Sequence, residues 1–142
     1  MSMNSRFIVA THILTLLASS DVPVTSEEIA VSVNTNPVVI RRLLVELAKA
    51  GLVVTQQGSA GGSQLARPAE LITLLQVYHA MEPGHLFGMH RQTPNPECEI
   101  GNNIQGVMSG IFDQAEQAVE ILFGSITLAQ ILGAVRIAVM QT

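Results

Sequence analysis

Two adjacent arginines, Arg41 and Arg42, are the residues of this sequence best suited to contact a nucleic acid. A guanidinium group can donate two hydrogen bonds to O6 and N7 of guanine, or it can bind a phosphate. Both arginines lie on the outward side of a predicted helix, which Val38 shares. Thr35 and Asn36 come at the start of this helix, where side chains and backbone N–H groups can contact phosphate. A solvated surface charge is the alternative for each arginine, and a helix cap is the alternative for Asn36.

A glycine-rich stretch from Gly58 to Pro68, GSAGGSQLARP, is the second feature that could bind a ligand. A phosphate-binding loop leads directly into a helix, and a P-loop ends in Lys followed by Ser or Thr. This stretch has neither feature, so we interpret it as the tip of a hairpin, where glycines supply positive φ angles. Side chains of such a hairpin can donate to phosphate or to minor-groove acceptors, and the candidates are Gln56, Gln57, Ser59 and Ser63.

Cys98 is the only cysteine, so an internal disulfide is excluded. One interpretation makes it a redox sensor, and the other makes it structural or incidental. The carboxylates of Glu97 and Glu99 oppose thiolate formation. A helix beginning near Asn102 and Asn103 would favour an anion.

Catalytic and metal-binding patterns are absent from the sequence. There is no C-x-x-C or H-x-x-x-H spacing typical of zinc sites, and no Ser/His/Asp order or pair of carboxylates in a recognisable motif. We therefore predict no enzymatic activity and no metal site. A mixed-ligand cluster shared by two subunits is the alternative, with ligands near Cys98 drawn from His85, His90, Glu97 and Glu99.

The composition favours a folded chain that leaves apolar surface to bury. Apolar residues make up 48% and charged residues 13% of the 142 residues, and the mean hydropathy is +0.40. A chain of this size has little interior, so we expect part of that surface to pack on a second copy. No apolar run reaches the roughly 18–20 residues of a membrane span, and no signal peptide is recognisable. These observations predict a cytoplasmic protein with no membrane partner.

Charge is distributed unevenly along the chain. Residues 1–67 carry a net +1 and residues 68–142 carry −5, which together give the −4 of the whole chain. Contact with a nucleic acid must therefore come from a local basic patch rather than from a global field.

Three helices followed by a hairpin are predicted in the first half. Apolar residues recur at helical spacing over residues 7–18, and Thr25 begins a capping box for a short second helix. Asn36 and Pro37 begin a third helix, which Gly51 ends. The β-branched segment LVVTQ and the segment QLA then predict two strands. This order predicts a winged helix-turn-helix, whose third helix enters the DNA major groove.

A long amphipathic helix is predicted in the second half. Its apolar residues recur every three or four positions: Ile104, Val107, Met108, Ile111, Ala115, Ala118, Val119 and Leu122. Such a helix needs an apolar partner surface, and we favour a second copy over its own chain. A two-fold dimer would bind a pseudo-palindromic site.

The segments RRLLVELAKAGLV, GGSQLARP, ITLLQVYHAME and SITLAQIL, in this order, resemble the Rrf-two (Rrf2) family of bacterial winged-helix regulators, of the IscR, NsrR and CymR type. The resemblance implies a mainly α fold with a small β-hairpin wing and a long dimerisation helix. It further implies a winged helix-turn-helix DNA-binding domain in residues 1–67. Residues 68–142 would hold a helical linker, a sensor loop and the dimerisation region.

The chain departs from the family in two places. Many members carry an arginine before the wing glycine, where this chain has Gln57, so its wing is neutral. Arg6 and Arg67 are candidates to compensate. Members that hold iron–sulfur clusters carry three cysteines before the long helix, and Cys98 aligns best with the last of them. We therefore expect no cluster and no other cofactor.

Taken together, these features predict a homodimeric DNA-binding transcriptional regulator that acts as a repressor, with redox state or a ligand as its signal. Its partner would be double-stranded DNA with a pseudo-palindromic operator. The alternative is a protein-interaction or small-molecule-binding dimer that does not bind DNA, which the neutral wing and the net charge of −4 motivate.

Overall fold

The computed structural model describes residues 3–142, with side chains from Ser5 onward. It confirms the predicted class, a mainly α fold with a small β-hairpin. The elements are α1 (Met3–Ala18), α2 (Ser26–Val33), α3 (Pro37–Lys49), β1 (Val53–Gln56), β2 (Gly62–Leu65), a single 3-10 turn (Ala69–Leu71), α4 (Leu74–Ala80), α5 (Glu99–Gly124) and α6 (Leu128–Met140). Within residues 3–142, no helix combines the length and apolar character that crossing a bilayer requires.

Local side-chain hydrogen bonds fix the starts of α2 and α3. The Thr25 hydroxyl accepts from the backbone N–H of Glu28, and the Glu28 carboxylate accepts from the backbone N–H of Thr25, which confirms the capping box. α2 ends at Asn34 in the left-handed conformation, with φ 63°. The Asn36 side-chain oxygen then accepts from the Val38 N–H at 2.8 Å and caps α3.

The glycine-rich stretch forms the turn of an antiparallel hairpin, as predicted. The first residue of β1 lies opposite the last residue of β2. Ser63 of β2 also exchanges two backbone hydrogen bonds with Val24, of 2.8 and 3.0 Å. The hairpin is therefore attached by one short bridge to the connection between α1 and α2.

Two of the glycines have distinct structural requirements. Gly58 adopts a φ of +97° in the turn, which side chains rarely allow. Gly62 has a φ of +144°, and a Cβ atom there would lie 2.8 Å from backbone atoms of Val24. The cluster therefore closes the hairpin and lets β2 lie directly against the chain before α2.

The hydrophobic core lies mainly among the first three helices and the hairpin. Its fully buried members include Ile13, Leu14, Ile29, Ile40 and Leu47. The C-terminal helix joins this core at its first residue, because the N–H of Leu128 donates to the carbonyl of Ile72 at 2.9 Å. The N–H of Leu74 donates in turn to the carbonyl of Ile126 at 2.8 Å, so the starts of α4 and α6 are fastened together.

Candidate nucleic-acid interface

One side of α3 is buried and the other projects from the molecule. Its buried stripe consists of Ile40, Leu43, Leu44 and Leu47. The opposite side, here called the outer face, consists of the exposed residues Val38, Arg41, Arg42, Val45 and Lys49. The helical period of 3.6 residues separates the two sets, because residues three, four and seven apart share a face. The outer face is therefore free to contact a ligand.

Arg41 is paired in the free protein. Its guanidinium donates to Glu27 Oε1 on α2 at 2.6 Å, and both side chains are more than half exposed. An ion pair in such an exposed position contributes roughly 0–1 kcal/mol, because water screens both charges. A phosphate or a guanine edge can replace Glu27 at little energetic cost.

Arg42 turns to the other side of α3. Together with Arg6 and Glu46 it lines an open groove of about 500 Å³, here called the α1 groove. Among residues 5–142, whose side chains are described, none accepts a hydrogen bond from Arg42, whereas Arg6 donates to the carbonyl of Met81 at 3.4 Å. The α1 groove therefore contains two guanidinium groups, one of which has all its donors available.

A second groove, of about 510 Å³, separates α3 from the hairpin and is here called the wing groove. It brings together three of the predicted site residues, Arg41, Gln57 and Ser59, and Glu27 lies beside them. It therefore places a basic helix and a hairpin tip on either side of one open groove.

The other predicted residues take different places. Thr35 and Asn36 stand at the start of α3 and line neither groove; the Asn36 oxygen is engaged as the helix cap, the alternative foreseen for it. Arg67 lines a separate groove beside the end of α1. The expectation that Ser63 donates to DNA is wrong, because its side chain is 2% exposed and its hydroxyl lies 3.1 Å from that of Thr55.

Two residues that line these grooves, Glu27 and Arg6, could not be located from the sequence. The sequence does not predict the role of Glu27, because its contact with Arg41 joins residues fourteen positions apart. Arg6 was named without a location, and the structure places it beside Arg42. For Glu27, the only signal in the sequence is its place as an acidic residue in the first turn of α2.

Cys98 lies at the start of α5 rather than in a loop well before it. The helix begins at Glu99, so the expected start near Asn102 and Asn103 is wrong by about one turn. Cys98 is exposed and is the N-cap, because its sulfur accepts from the N–H of Gly101 at 3.5 Å. The prediction missed this cap because cysteine is not among the usual capping residues.

The segment before Cys98 is fastened to one side of α5. Glu116 accepts from the N–H of Leu86 at 3.0 Å and lies 3.3 Å from the ring of His85. Further along, the ring of Phe87 stacks on Phe112 with centroids 4.8 Å apart. His90 lies 3.2 Å from the side chain of Gln105. These contacts direct both histidines toward α5.

Tyr78 of α4 packs between α1 and α5. Its ring contacts Phe7 and Phe123, with centroids 5.3 and 5.4 Å away. Burial raises the pKa of Tyr78 above its ordinary value, and the negative charges of Glu116 and Glu120 raise it further. The neutral phenol is therefore favoured in the folded chain.

The remaining side of α5 is apolar and uncovered. None of the 26 residues of this helix is buried. The residues here called the open face of α5 are Ile100, Val107, Ile111, Ala118 and Leu122, and all are exposed. Their spacing of seven and four residues places them on one side of the helix.

The fold and the outer face of α3 define a winged-helix regulator, and comparison with known proteins agrees. Residues 3–134 match the model of the Rrf2 family, described as iron-dependent transcriptional regulators. YwnA of Bacillus subtilis (strain 168), assigned as an HTH-type transcriptional regulator, is 41% identical over 131 residues, which cover 92% of this chain and 96% of YwnA. The chain therefore belongs to the Rrf2 family of transcriptional regulators, a class distinct from enzymes.

Solved structures share the fold. A crystal structure assigned to a transcriptional regulator of Lactobacillus plantarum has a TM-score of 0.74 and 28% identity, and the match covers 92% of this chain and 89% of that one. CymR, the global cysteine regulator of B. subtilis, has a TM-score of 0.69 at 20% identity, covering 94% and 98% of the two chains. The second likeness bears on the fold alone.

An iron–sulfur cluster does not fit the donor set of one chain. Such clusters take four protein ligands that are mostly cysteine, and this chain has one cysteine. Cys98 caps α5, while His85 and His90 contact α5 side chains. Within residues 3–142, the structure gathers no group of three or more His, Cys, Asp and Glu side chains suited to a metal ion.

Proposed function

We propose that this chain is a homodimeric transcriptional repressor that binds double-stranded DNA at a pseudo-palindromic operator. The observation that carries the proposal is the outer face of α3, on which Arg41 and Arg42 diverge into two open grooves. A helix inserted in the major groove would present one arginine to each side. The assignment of YwnA as an HTH-type regulator supports DNA as the ligand.

The α1 groove and the wing groove supply complementary contacts. Arg41 leaves its ion pair with Glu27 to contact DNA. Arg42 donates to DNA with a guanidinium group that is already free. Gln57 and Ser59 reach phosphates from the wing, while the half-buried Thr35 and the exposed Asn36 lie beside the DNA backbone at the start of α3. Because the chain carries a net charge of −4, affinity depends on this local patch and falls steeply with salt.

A second copy covers the open face of α5 in this proposal. The face extends over more than five turns, from Ile100 to Leu122, and its large side chains are each at least half exposed. An apolar stripe of this length on a surface helix is otherwise costly in water. Two-fold pairing of α5 would place two winged helices on one side of the dimer and so favour a palindromic site.

The assignment of the two arginines is tested with the DNA immediately upstream of the gene, against a duplex of scrambled sequence. The double variant Arg41→Ala/Arg42→Ala should lose specific binding. The matched control Arg91→Ala/Arg136→Ala removes the same charge from exposed sites elsewhere and should retain it. Circular dichroism checks that both variants are folded. Specific binding retained by the first variant would contradict the assignment.

A dimer that binds a protein or small molecule instead of DNA is the second candidate. The neutral wing favours it, because Gln57 and Ser59 supply hydrogen-bond donors without positive charge. A non-DNA ligand whose binding survives the Arg41→Ala/Arg42→Ala change, together with no specific shift of any upstream duplex, would favour this candidate.

Cys98 is the proposed redox-responsive position, and no resident iron–sulfur cluster is involved. Peroxide would transfer one oxygen atom to the exposed thiol, giving a sulfenic acid and water. That oxygen changes the group that caps α5, next to the proposed dimer contact. The Cys98→Ser variant keeps a capping acceptor and should bind DNA equally well with and without peroxide. Anaerobically purified protein should contain no iron; stoichiometric iron and sulfide would contradict the proposal.

A further inference from the structure

Two valines occupy the centre of the outer face of α3. Val38 is 46% exposed and Val45 is 52% exposed. They lie seven residues apart, which is two helical turns or about 10.5 Å along the axis. Arg41 and Arg42 flank them on opposite sides, so the outer face has an apolar centre with a guanidinium group at each edge.

Neither valine has a role in the free chain that explains its place. Valine is a weaker helix former than alanine, leucine or lysine, because its branched side chain loses rotamer freedom in a helix. The neighbouring Val39 packs against the core, whereas Val38 and Val45 point outward. Val45 also lines both the α1 groove and the wing groove, so it forms the ridge between them.

We infer, resting on the DNA binding proposed above, that Val38 and Val45 contact the C5-methyl groups of thymine in the major groove and so select thymine at those positions. The thymine methyl is the apolar group that this groove presents to a protein. Val38 lies in the first turn of α3, the part of a recognition helix that contacts base edges.

Charge complementarity identifies DNA as the occupant of this face. An apolar protein partner would meet two guanidinium groups at the rim, which lose hydration on burial unless they are paired. A duplex instead offers methyl groups at the centre of the groove and phosphates or guanines at its sides. The operator is therefore predicted to contain thymines where the valines lie and guanine or phosphate contacts beside them.

The test replaces thymidine by deoxyuridine in the operator, which removes only the C5-methyl group and keeps the hydrogen-bonding pattern. Dissociation constants are measured by fluorescence anisotropy for both duplexes. The deoxyuridine duplex should bind the native protein about fourfold more weakly for each methyl group that a valine would otherwise touch. The ratio of the two dissociation constants should move closer to one in Val38→Ala and in Val45→Ala. It should be about one in the double variant.

A matched control is Val22→Ala, which shortens an exposed valine outside α3 and should keep the full ratio. Thermal unfolding establishes that each variant is folded. Specific binding that is indifferent to deoxyuridine, or a ratio unchanged in the double variant, would overturn the inference and leave the DNA-binding proposal standing. Absence of all specific DNA binding by the native protein would overturn both. A changed oligomeric state in the valine variants, with the ratio intact, would assign this face to a second copy.

Discussion

The winged-helix half and the α5 half of this chain bury their apolar residues in different ways. All but four of the fully or largely buried apolar residues precede residue 68, and the exceptions are Ile72, Val77, Met81 and Leu128. α5 is twice as long as α3 and contains no buried residue. The first half therefore supplies most of the core and exposes a basic face, whereas the second half supplies four core residues and exposes an apolar face.

The two halves differ in what holds their exposed faces in place. The core of the first half fixes the outer face of α3 without help from another molecule, because Ile40, Leu43 and Leu47 anchor that helix from behind. The open face of α5 gains stability only when something covers it. In the proposed function, DNA recognition therefore rests on the first half and pairing rests on the second.

The largest expected effect comes from a charge placed on the open face of α5. Ile111→Glu should convert a dimer into a monomer, because pairing would bury the new carboxylate in an apolar contact. Operator affinity should fall by about 10²–10⁴-fold as the two half-sites are no longer bound together. Analytical ultracentrifugation and a mobility shift measure the two effects.

The matched control is Gln117→Glu, which adds the same charge to the polar side of α5 and should leave a dimer. A monomeric native protein, or an Ile111→Glu variant that remains dimeric and binds normally, would contradict the role assigned to α5.

The second-largest effect is a loss of stability, expected when leucine is replaced by alanine in each half. Leu47→Ala removes a fully buried side chain and should lower the free energy of unfolding by about 2–5 kcal/mol. Leu122→Ala should change it by only about 0.5 kcal/mol in the monomeric Ile111→Glu background, and by more in the dimer. Urea denaturation at fixed protein concentration gives these values. Equal costs in both backgrounds would show that Leu122 has no partner-dependent role.

Two glycine-to-alanine substitutions compare the same two halves, with a smaller expected effect on stability. Gly62→Ala should cost about 1–3 kcal/mol, because φ is +144° and the new Cβ would collide with Val24. Gly106→Ala in α5 meets no atom within 4 Å and should be neutral or stabilise the chain by up to about 1 kcal/mol. Chemical denaturation of both variants compares them; a Gly62→Ala chain as stable as the native one would contradict the close approach.

The smallest expected effect is a raised pKa of Tyr78, which lies at the junction of α4 and α5. Tyr78 is the only tyrosine and the chain has no tryptophan, so ultraviolet absorbance follows its ionisation alone. The midpoint should lie above the ordinary pKa of 10.0 and fall in Glu120→Gln, but not in the distant control Glu97→Gln. Because the folded-state pKa is raised, this contribution to stability is present below pH 10 and is lost as pH rises above it.

Local sequence signals predicted the fold well. The capping residues at Thr25 and Asn36, the proline at the start of α3 and the glycines of the hairpin each impose a backbone conformation on their own neighbours. Periodicity likewise predicted α5, because the pattern extends over many turns. These features depend on residues that are close in sequence, so they could be inferred without the tertiary structure.

The candidate site was less predictable because it depends on contacts between distant elements. The pairing of Arg41 with Glu27 and the approach of Arg6 to Arg42 depend on how α1, α2 and α3 pack. The burial of Ser63 follows from its bridge to Val24, which strand alternation alone does not indicate. The residue types were recognised, but their neighbours had to come from the structure.

Hydroxyl-radical footprinting of the DNA upstream of the gene tests the central claim most directly, because it reads the number and spacing of contacts together. The account predicts two protected stretches related by two-fold symmetry, with centres about one helical turn or a multiple of it apart. Both should disappear with Arg41→Ala/Arg42→Ala and reappear with the control Arg91→Ala/Arg136→Ala. A single asymmetric protected stretch, or protection that survives removal of both arginines, would contradict a dimer that recognises DNA through α3.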